Sequence, residues 1–266
     1  MVDVLVILDG ASETQDARSP TLGQAHTPAL DALREDGEQE WVQLLAPGVP
    51  VGSETAISVL LGWIPNGPVD RGAVEAASRG IELEQGQRAW RVDVGVRPHR
   101  HKLLVLGGQA PPEISGDVSL QIWPPGAVPP QILDESTVVI GAVGAATGLG
   151  RLMGARVIIP PGATGRPDSD LAAKCVAART AIAQGASWVV VHVGGPDEAA
   201  HDRDRPAKIA AIEAADRELI GPLREVVAAV GGSLRVCPDH GCDPETGAHV
   251  AGPVPSVSWS AIMVAR

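Results

Sequence analysis

Apolar runs of four to seven residues, rich in Val and Ile, recur along the chain and alternate with segments of helical periodicity. Strands are predicted at Val4–Leu8, Leu103–Leu106, Thr137–Ile140, Arg156–Ile159, Trp188–Val193, Leu234–Cys237 and Val257–Val264. Several are apolar at every position, the pattern of a strand covered by helices on both faces. Thr27-Pro28-Ala29 predicts a helix start, with Thr27 as N-cap, Pro in the first turn and Gly37 closing it. Asp168–Gln184 predicts a second helix, stopped by Gly185, and Pro206–Val230 a third, broken or kinked at Gly221-Pro222. Strand and helix in alternation point to an α/β fold with a mostly parallel sheet. From Asn66 to Ser136 this rhythm is interrupted by Pro65-Asn-Gly-Pro68 and three Pro-Pro pairs, with helical signal only at Asp70–Arg79. The reading is a small inserted subdomain over 66–136, within a core made of 1–65 and 137–266.

Composition narrows the class. A chain of 266 residues holds one large domain or two smaller ones. Its 31 Gly and 23 Pro exceed the usual combined share of about 12% without reaching low complexity, as in a loop-rich folded enzyme. The net charge of −11, with no Lys/Arg run, argues against a nucleic-acid partner. An anionic substrate would need metals or local Arg to overcome that field. Phe and Tyr are absent, so no Tyr can act as acid or base, and Trp is the only aromatic surface open to a substrate. Three cysteines without a CxxC spacing fit a reducing compartment. The first apolar run is too short and acidic for a signal peptide, and none approaches a membrane span. A soluble cytoplasmic protein is expected; the oligomeric state stays open.

Candidate chemistry gathers where predicted strands end. Asp9-Gly10 follows the first strand, Asp197-Glu-Ala-Ala-His201 follows Trp188–Val193, and Asp239-His240 follows Leu234–Cys237, with His249 nine residues on. Ligands of α/β sheets bind outside the carboxyl ends of the strands. Asp and His donors suit divalent Mn, Zn or Mg. Residues 197 and 201 share a helix face, while the adjacent 239 and 240 diverge and could reach two neighbouring metals. Two metals about 3.5–4 Å apart clamp the attacking and leaving oxygens of phosphoryl transfer. Ser53, in Gly52-Ser-Glu-Thr-Ala56 at the start of a helix running to Leu61, is either a helix cap or a metal-activated nucleophile. His192 reads as a hydrogen-bonded core residue and His26, His99 and His101 as loop histidines; Cys237 and Cys242, which flank Asp239-His240, read as structural thiols, with a metal role as the alternative.

In this order the residues resemble the alkaline phosphatase superfamily, and most of all its cofactor-independent (2,3-bisphosphoglycerate-independent) phosphoglycerate mutases of archaeal type. The similar stretches are Ile7-Leu-Asp-Gly10, Thr27-Pro-Ala-Leu-Asp-Ala-Leu33, Arg71-Gly-Ala-Val-Glu-Ala-Ala77, Pro161-Gly-Ala-Thr-Gly165, Pro196-Asp-Glu-Ala-Ala-His201 and Asp239-His240 through Gly247-Ala-His249. The resemblance implies a three-layer α/β/α core with a small inserted cap and two divalent metal ions. It implies one metal on Asp9, Ser53, Asp239 and His240, and the other on Asp197, His201 and His249. Ser53 would carry the phosphoryl group as phosphoserine while 3-phosphoglycerate becomes 2-phosphoglycerate, a glycolytic isomerisation. Arg71, Arg91 and Arg100 fall where substrate-binding arginines are implied, for a small phosphorylated carboxylic acid. Two departures stand out: the stretch from Arg91 to Pro161 is short for the family, and Ile57 stands where many relatives carry His. A leaky lid lets water take the phosphoryl group. A metal-dependent phosphatase, phosphodiesterase or phosphonate-processing hydrolase is therefore the alternative, and a non-catalytic binding protein a further one.

Overall fold

The computed structural model describes residues 1–13, 20–95, 101–111 and 120–261. Its strands are β1 Asp3–Leu8, β2 Glu38–Val42, β3 Arg88–Val94, β4 His101–Gly107, β5 Leu120–Ile122, β6 Thr137–Ile140, β7 Arg156–Ile158, β8 Trp188–Val193, β9 Ser233–Cys237, β10 Gly241–Asp243, β11 Ala248–Val250 and β12 Val254–Ser260. Its helices are α1 Thr21–Gln24, α2 Pro28–Asp36, α3 Ser53–Leu60, α4 Arg71–Ser78, α5 Ala145–Leu152, α6 Leu171–Ala183, α7 Gly195–His201, α8 Arg205–Ala215 and α9 Gly221–Ala229.

Seven strands form the central sheet in the order β2-β12-β9-β1-β8-β6-β7. The five from β9 to β7 are mutually parallel, and β12 runs antiparallel to both β9 and β2. Both faces are covered. On one, Val4, Val6 and Leu8 of β1 meet Leu30, Leu171, Ile212 and Leu223 from α2, α6, α8 and α9. On the other, Leu5 and Ile7 meet Ile57, Val74 and Leu149 from α3, α4 and α5. The period-two alternation of a strand thus feeds two cores. Burying each such side chain contributes about 1.5–3 kcal/mol. The result is the three-layer α/β/α arrangement expected.

A separate antiparallel sheet, β4-β3-β5, lies within 66–136. Its central strand is not apolar: Arg91 and Asp93, two apart and so on one face, are both buried because they pair, Nε to Oδ1 at 2.6 Å. Helix α4 joins this sheet to the core. A Cβ at Gly72 would lie 1.8 Å from the Ala89 carbonyl oxygen, so only glycine lets the helix approach the strand this closely.

Several local expectations are corrected. Thr27 makes no side-chain cap; the Asp216 carboxylate accepts from Ala29 and Leu30 N–H instead, at 3.0 and 2.7 Å. The second helix starts at Leu171 with Asp170 as its cap, not at 168. The third does not break at Gly221-Pro222. It passes through a π-helical turn, Asp216–Ile220, whose wider register accommodates a proline that cannot donate a hydrogen bond. The last strand starts at Val254 and ends at Ser260, and 262–264 lie outside the described residues. His101 belongs to β4 rather than a loop; His99 lies outside the described residues.

Candidate metal centre

The parallel strands deliver their acidic and imidazole residues to one edge. Asp9 follows β1, α7 carries Asp197 and His201 directly after β8, Asp239-His240 follows β9, and His249 lies in β11. Ser53 is the first residue of α3, beyond Gly52, so its hydroxyl stands at a helix N-terminus. All seven residues come together. Ser53 Oγ is 3.1 Å from His240 Nε2. His240 Nε2 lies 3.5 Å from Asp9 Oδ1 and 3.4 Å from Asp239 Oδ2. His201 Nε2 is 3.2 Å from Asp197 Oδ2, and His249 Nε2 is 3.5 Å from Asp197 Oδ1.

Gly10 makes this closeness possible. Its φ of +64° favours glycine, and a Cβ there would sit 2.7–2.8 Å from Asp197. Its N–H donates to Asp239 Oδ1 at 3.2 Å, tying the β1 loop to the β9 loop.

The histidines are oriented from behind. The Nδ1–H of His201 donates to the Gly247 carbonyl at 2.7 Å, that of His240 to Gly241 at 3.1 Å and that of His249 to Val51 at 3.3 Å. Each bond fixes the tautomer that leaves Nε2 as a lone pair aimed into the site. Consequently His201 and His249 face each other Nε2 to Nε2 at 3.0 Å. Two lone pairs at that distance repel unless a cation stands between them.

The carboxylates make the same demand. Asp9 Oδ1, Asp197 Oδ1 and Asp239 Oδ2 are buried and accept no hydrogen bond, and unpaired buried charge is costly. Burial, with Asp239 and Asp197 beside it, holds the Asp9 carboxyl well above the usual range. Burial acts upward on Asp197 too, but the His201 and His249 rings beside it outweigh it and hold it well below that range. Among the described residues two donor groups meet the spacing of a metal site: Asp9, Asp197 and His240, and Asp197, His201, His249 and Cys242. Hard oxygen with imidazole nitrogen fits divalent metal ions. Cys242 is buried within the second group, Sγ 4.0 Å from His201 Nδ1.

Sequence reasoning left out several residues of this site. His192 stands in the cavity wall, and its Nε2–H donates to Asp9 Oδ2 at 3.1 Å. Burial lowers its pKa to about 4, so the ring is a neutral donor. A cavity of about 360 Å³ opens over Asp9, Ser53, Asp197, His201 and His249. Arg71 lines it, stacked over the Trp123 ring at 3.8 Å and 3.1 Å from Glu54. Arg91 lines it too, but is held by Asp93 and by Glu75 at 3.3 Å. Lys102 reaches Glu198 at 3.5 Å across the mouth. Arg100 lies outside the described residues. The i, i+2 spacing of Arg91 and Asp93 was the one signal in the sequence for their pairing.

A family model described as the metalloenzyme superfamily matches residues 1–264. The 2,3-bisphosphoglycerate-independent phosphoglycerate mutase of Methanothrix thermoacetophila is 40% identical over 129 residues, 47% of this chain and 33% of that protein. The enzyme of the same name from Methanopyrus kandleri is 24% identical over 361 residues, 95% of this chain and 85% of that protein. That alignment is longer than this chain, so segments of the relative face gaps here. In the higher-identity match the chain spans about a third of the relative's length. Among solved structures, the PH0037 protein from Pyrococcus horikoshii superposes with a TM-score of 0.78 at 24% identity, over 97% of this chain and 85% of that one. The cofactor-independent phosphoglycerate mutase from Thermoplasma acidophilum gives 0.61 at 16% identity, over 97% and 90%. At these identities the two structures speak for the fold. No helix among the described residues is long and apolar enough to cross a membrane.

Proposed function

Because the chain belongs to the metalloenzyme superfamily, we propose that it transfers a phosphoryl group through Ser53, as a phosphoglycerate mutase acting on 3-phosphoglycerate. Homology to phosphoglycerate mutases supports the reaction class. The observation that carries the reading is Ser53 Oγ, 3.1 Å from His240 Nε2 at a helix N-terminus, beside three buried carboxylate oxygens without a donor.

Asp9, Ser53, Asp239 and His240 would hold one divalent metal, and Asp197, His201 and His249 the other. When bound, such metals lower the pKa of a coordinated hydroxyl and neutralise phosphoryl oxygens. The rest belongs to the chain. Ser53 Oγ stands 3.1 Å from His240 Nε2 and lines the cavity. The Ser53 hydroxyl gives up its proton as the Oγ–P bond forms, and the 3-oxygen of the glycerate takes one up as its ester bond breaks. The glycerate turns, its 2-hydroxyl loses a proton as its oxygen attacks the phosphoserine, and Ser53 Oγ leaves and regains its proton. Arg71, beside Gly52 at the cavity wall, faces the phosphoryl group. Free N–H groups at the start of α3 favour the same anion.

One observation favours a second reading, in which water accepts the phosphoryl group. Arg91 is paired with Glu75 and Asp93, which leaves less to retain a departing glycerate. A single assay separates the two: metal-loaded protein with 3-phosphoglycerate, followed by phosphorus NMR. 2-Phosphoglycerate is the expected product, and inorganic phosphate would give the second reading. Neither product, with no phosphate on Ser53 by mass spectrometry, would overturn both.

A further inference from the structure

The cavity wall opposite the metal-ligating side chains is built as a connected series of contacts. The Arg71 guanidinium lies 3.8 Å over the Trp123 ring centroid. Its Nη2 would be 3.0 Å from a Cβ at Gly52, the residue before Ser53. The Trp123 indole N–H donates to Asp93 Oδ2 at 2.8 Å. The other oxygen of Asp93 accepts from Arg91 Nε at 2.6 Å. Arg91 Nη1 reaches Glu75 Oε2 at 3.3 Å, and the Trp123 backbone N–H donates to the Arg91 carbonyl at 2.9 Å. Arg91 and Asp93 are buried.

From this we infer that Trp123 is the platform that aims Arg71 at the phosphoryl group, and that Arg91 is a positioning residue acting through Asp93 and Trp123, not a contact to the substrate's carboxylate. An arginine planar fork recognises phosphate bidentately only when its plane is fixed. An indole face fixes the plane, and Glu54 Oε2, 3.1 Å from Nη2, holds one end of the fork. A guanidinium already committed to two buried carboxylates has no such freedom, so the two arginines of the cavity divide the work. In a chain without Phe or Tyr, this aromatic surface can only be Trp.

The inference rests on the phosphoryl-transfer reading, and its test separates the two. Metal-loaded wild type, Trp123→Phe, Trp123→Ala and Arg91→Lys would be compared in inorganic phosphate binding by calorimetry and in kcat and KM. The substrates would be 3-phosphoglycerate and p-nitrophenyl phosphate, which has no carboxylate. Trp123→Ala should weaken phosphate binding by about tenfold, the scale of a partly desolvated cation–π contact. Trp123→Phe, which keeps the ring face, should recover most of that loss. Arg91→Lys should lower kcat/KM by the same factor for both substrates, and combining it with Trp123→Ala should add little. An Arg91→Lys loss confined to 3-phosphoglycerate would overturn the inference, as would Trp123→Ala binding phosphate like wild type. Trp123 is half-buried, so its variants should fold, and thermal melts would verify this. If wild type binds phosphate but turns over neither substrate, the functional reading fails while the binding comparison still decides the platform.

Discussion

Substituting Gly10 by Ala tests how tightly the two halves of the site are pressed together. The added Cβ would lie 2.7 Å from Asp197 Oδ1 and 2.8 Å from Asp197 Cα and Cβ. Ordinary carbon contacts begin at about 3.5 Å, so about 0.7 Å must be found by moving α7 or the β1 loop. The positive φ of +64° adds a backbone cost of about 1–2 kcal/mol for an L residue. Either movement displaces Asp9 against Asp197 and His201. A misplacement near 1 Å costs about a hundredfold in rate. Turnover by phosphorus NMR should therefore fall by about two orders of magnitude, metal content by mass spectrometry should drop, and the melting temperature should fall by several degrees. Gly48→Ala is the control: its φ is +85° but no atom stands within 4 Å of the new Cβ, so it carries the backbone cost alone. Wild-type turnover and metal content in Gly10→Ala would refute the crowding argument. Equal losses in both variants would reduce it to backbone strain.

Ser53→Ala should abolish phosphoryl transfer, by about three orders of magnitude or more, and leave the melting temperature nearly unchanged; undiminished turnover excludes Ser53 as nucleophile. Chelation should remove activity and lower thermal stability, because three buried carboxylate oxygens and the facing His201–His249 nitrogens lose their counter-charge; reconstitution should return close to two metals per chain by elemental analysis. Lys174 is buried, its amine bonded to the His192 carbonyl at 2.8 Å, and burial lowers its pKa to about 8. Between pH 8 and its free value of 10.5 the unfolded chain binds this proton and the folded chain does not. The Lys174 contribution to stability therefore rises with pH across that window, by up to about 3 kcal/mol. Denaturant titrations at pH 7.5 and pH 10 should show this slope lost in Lys174→Met, the difference from wild type cancelling the buried thiols that titrate in the same range.

The fold was legible where burial is two-sided. β1, β6 and β8 read as apolar runs because helices cover both their faces, and the charged ends of β1, β8 and β9 marked the edge where the site lies. β2, written Glu-Gln-Glu-Trp-Val, escaped because its exposed positions carry no apolar period. β3 escaped because Arg91 and Asp93 are buried by pairing rather than by being apolar, and a single sequence does not reveal partners across space. His192 was read as a core residue from its apolar strand. It is hydrogen-bonded, but its partner is Asp9, and only the β1–β8 register, with Ile7 opposite His192, brings the two side by side. The pairing of Arg91 stayed hidden for a related reason. Motif similarity places an arginine in a segment, whereas its pairing depends on Glu75 from another element.

The outer margin of the central sheet has a consequence of its own. Among the described residues β2 pairs with β12 alone, so its other side is an edge of the sheet, the kind of template on which a second chain can add a strand. Glu38 and Glu40 stand exposed along that margin. A second copy aligning there would bring carboxylate against carboxylate, at no benefit from the aromatic surface of Trp41. The polar composition that hid this strand from the sequence is thus also a charged guard along the edge.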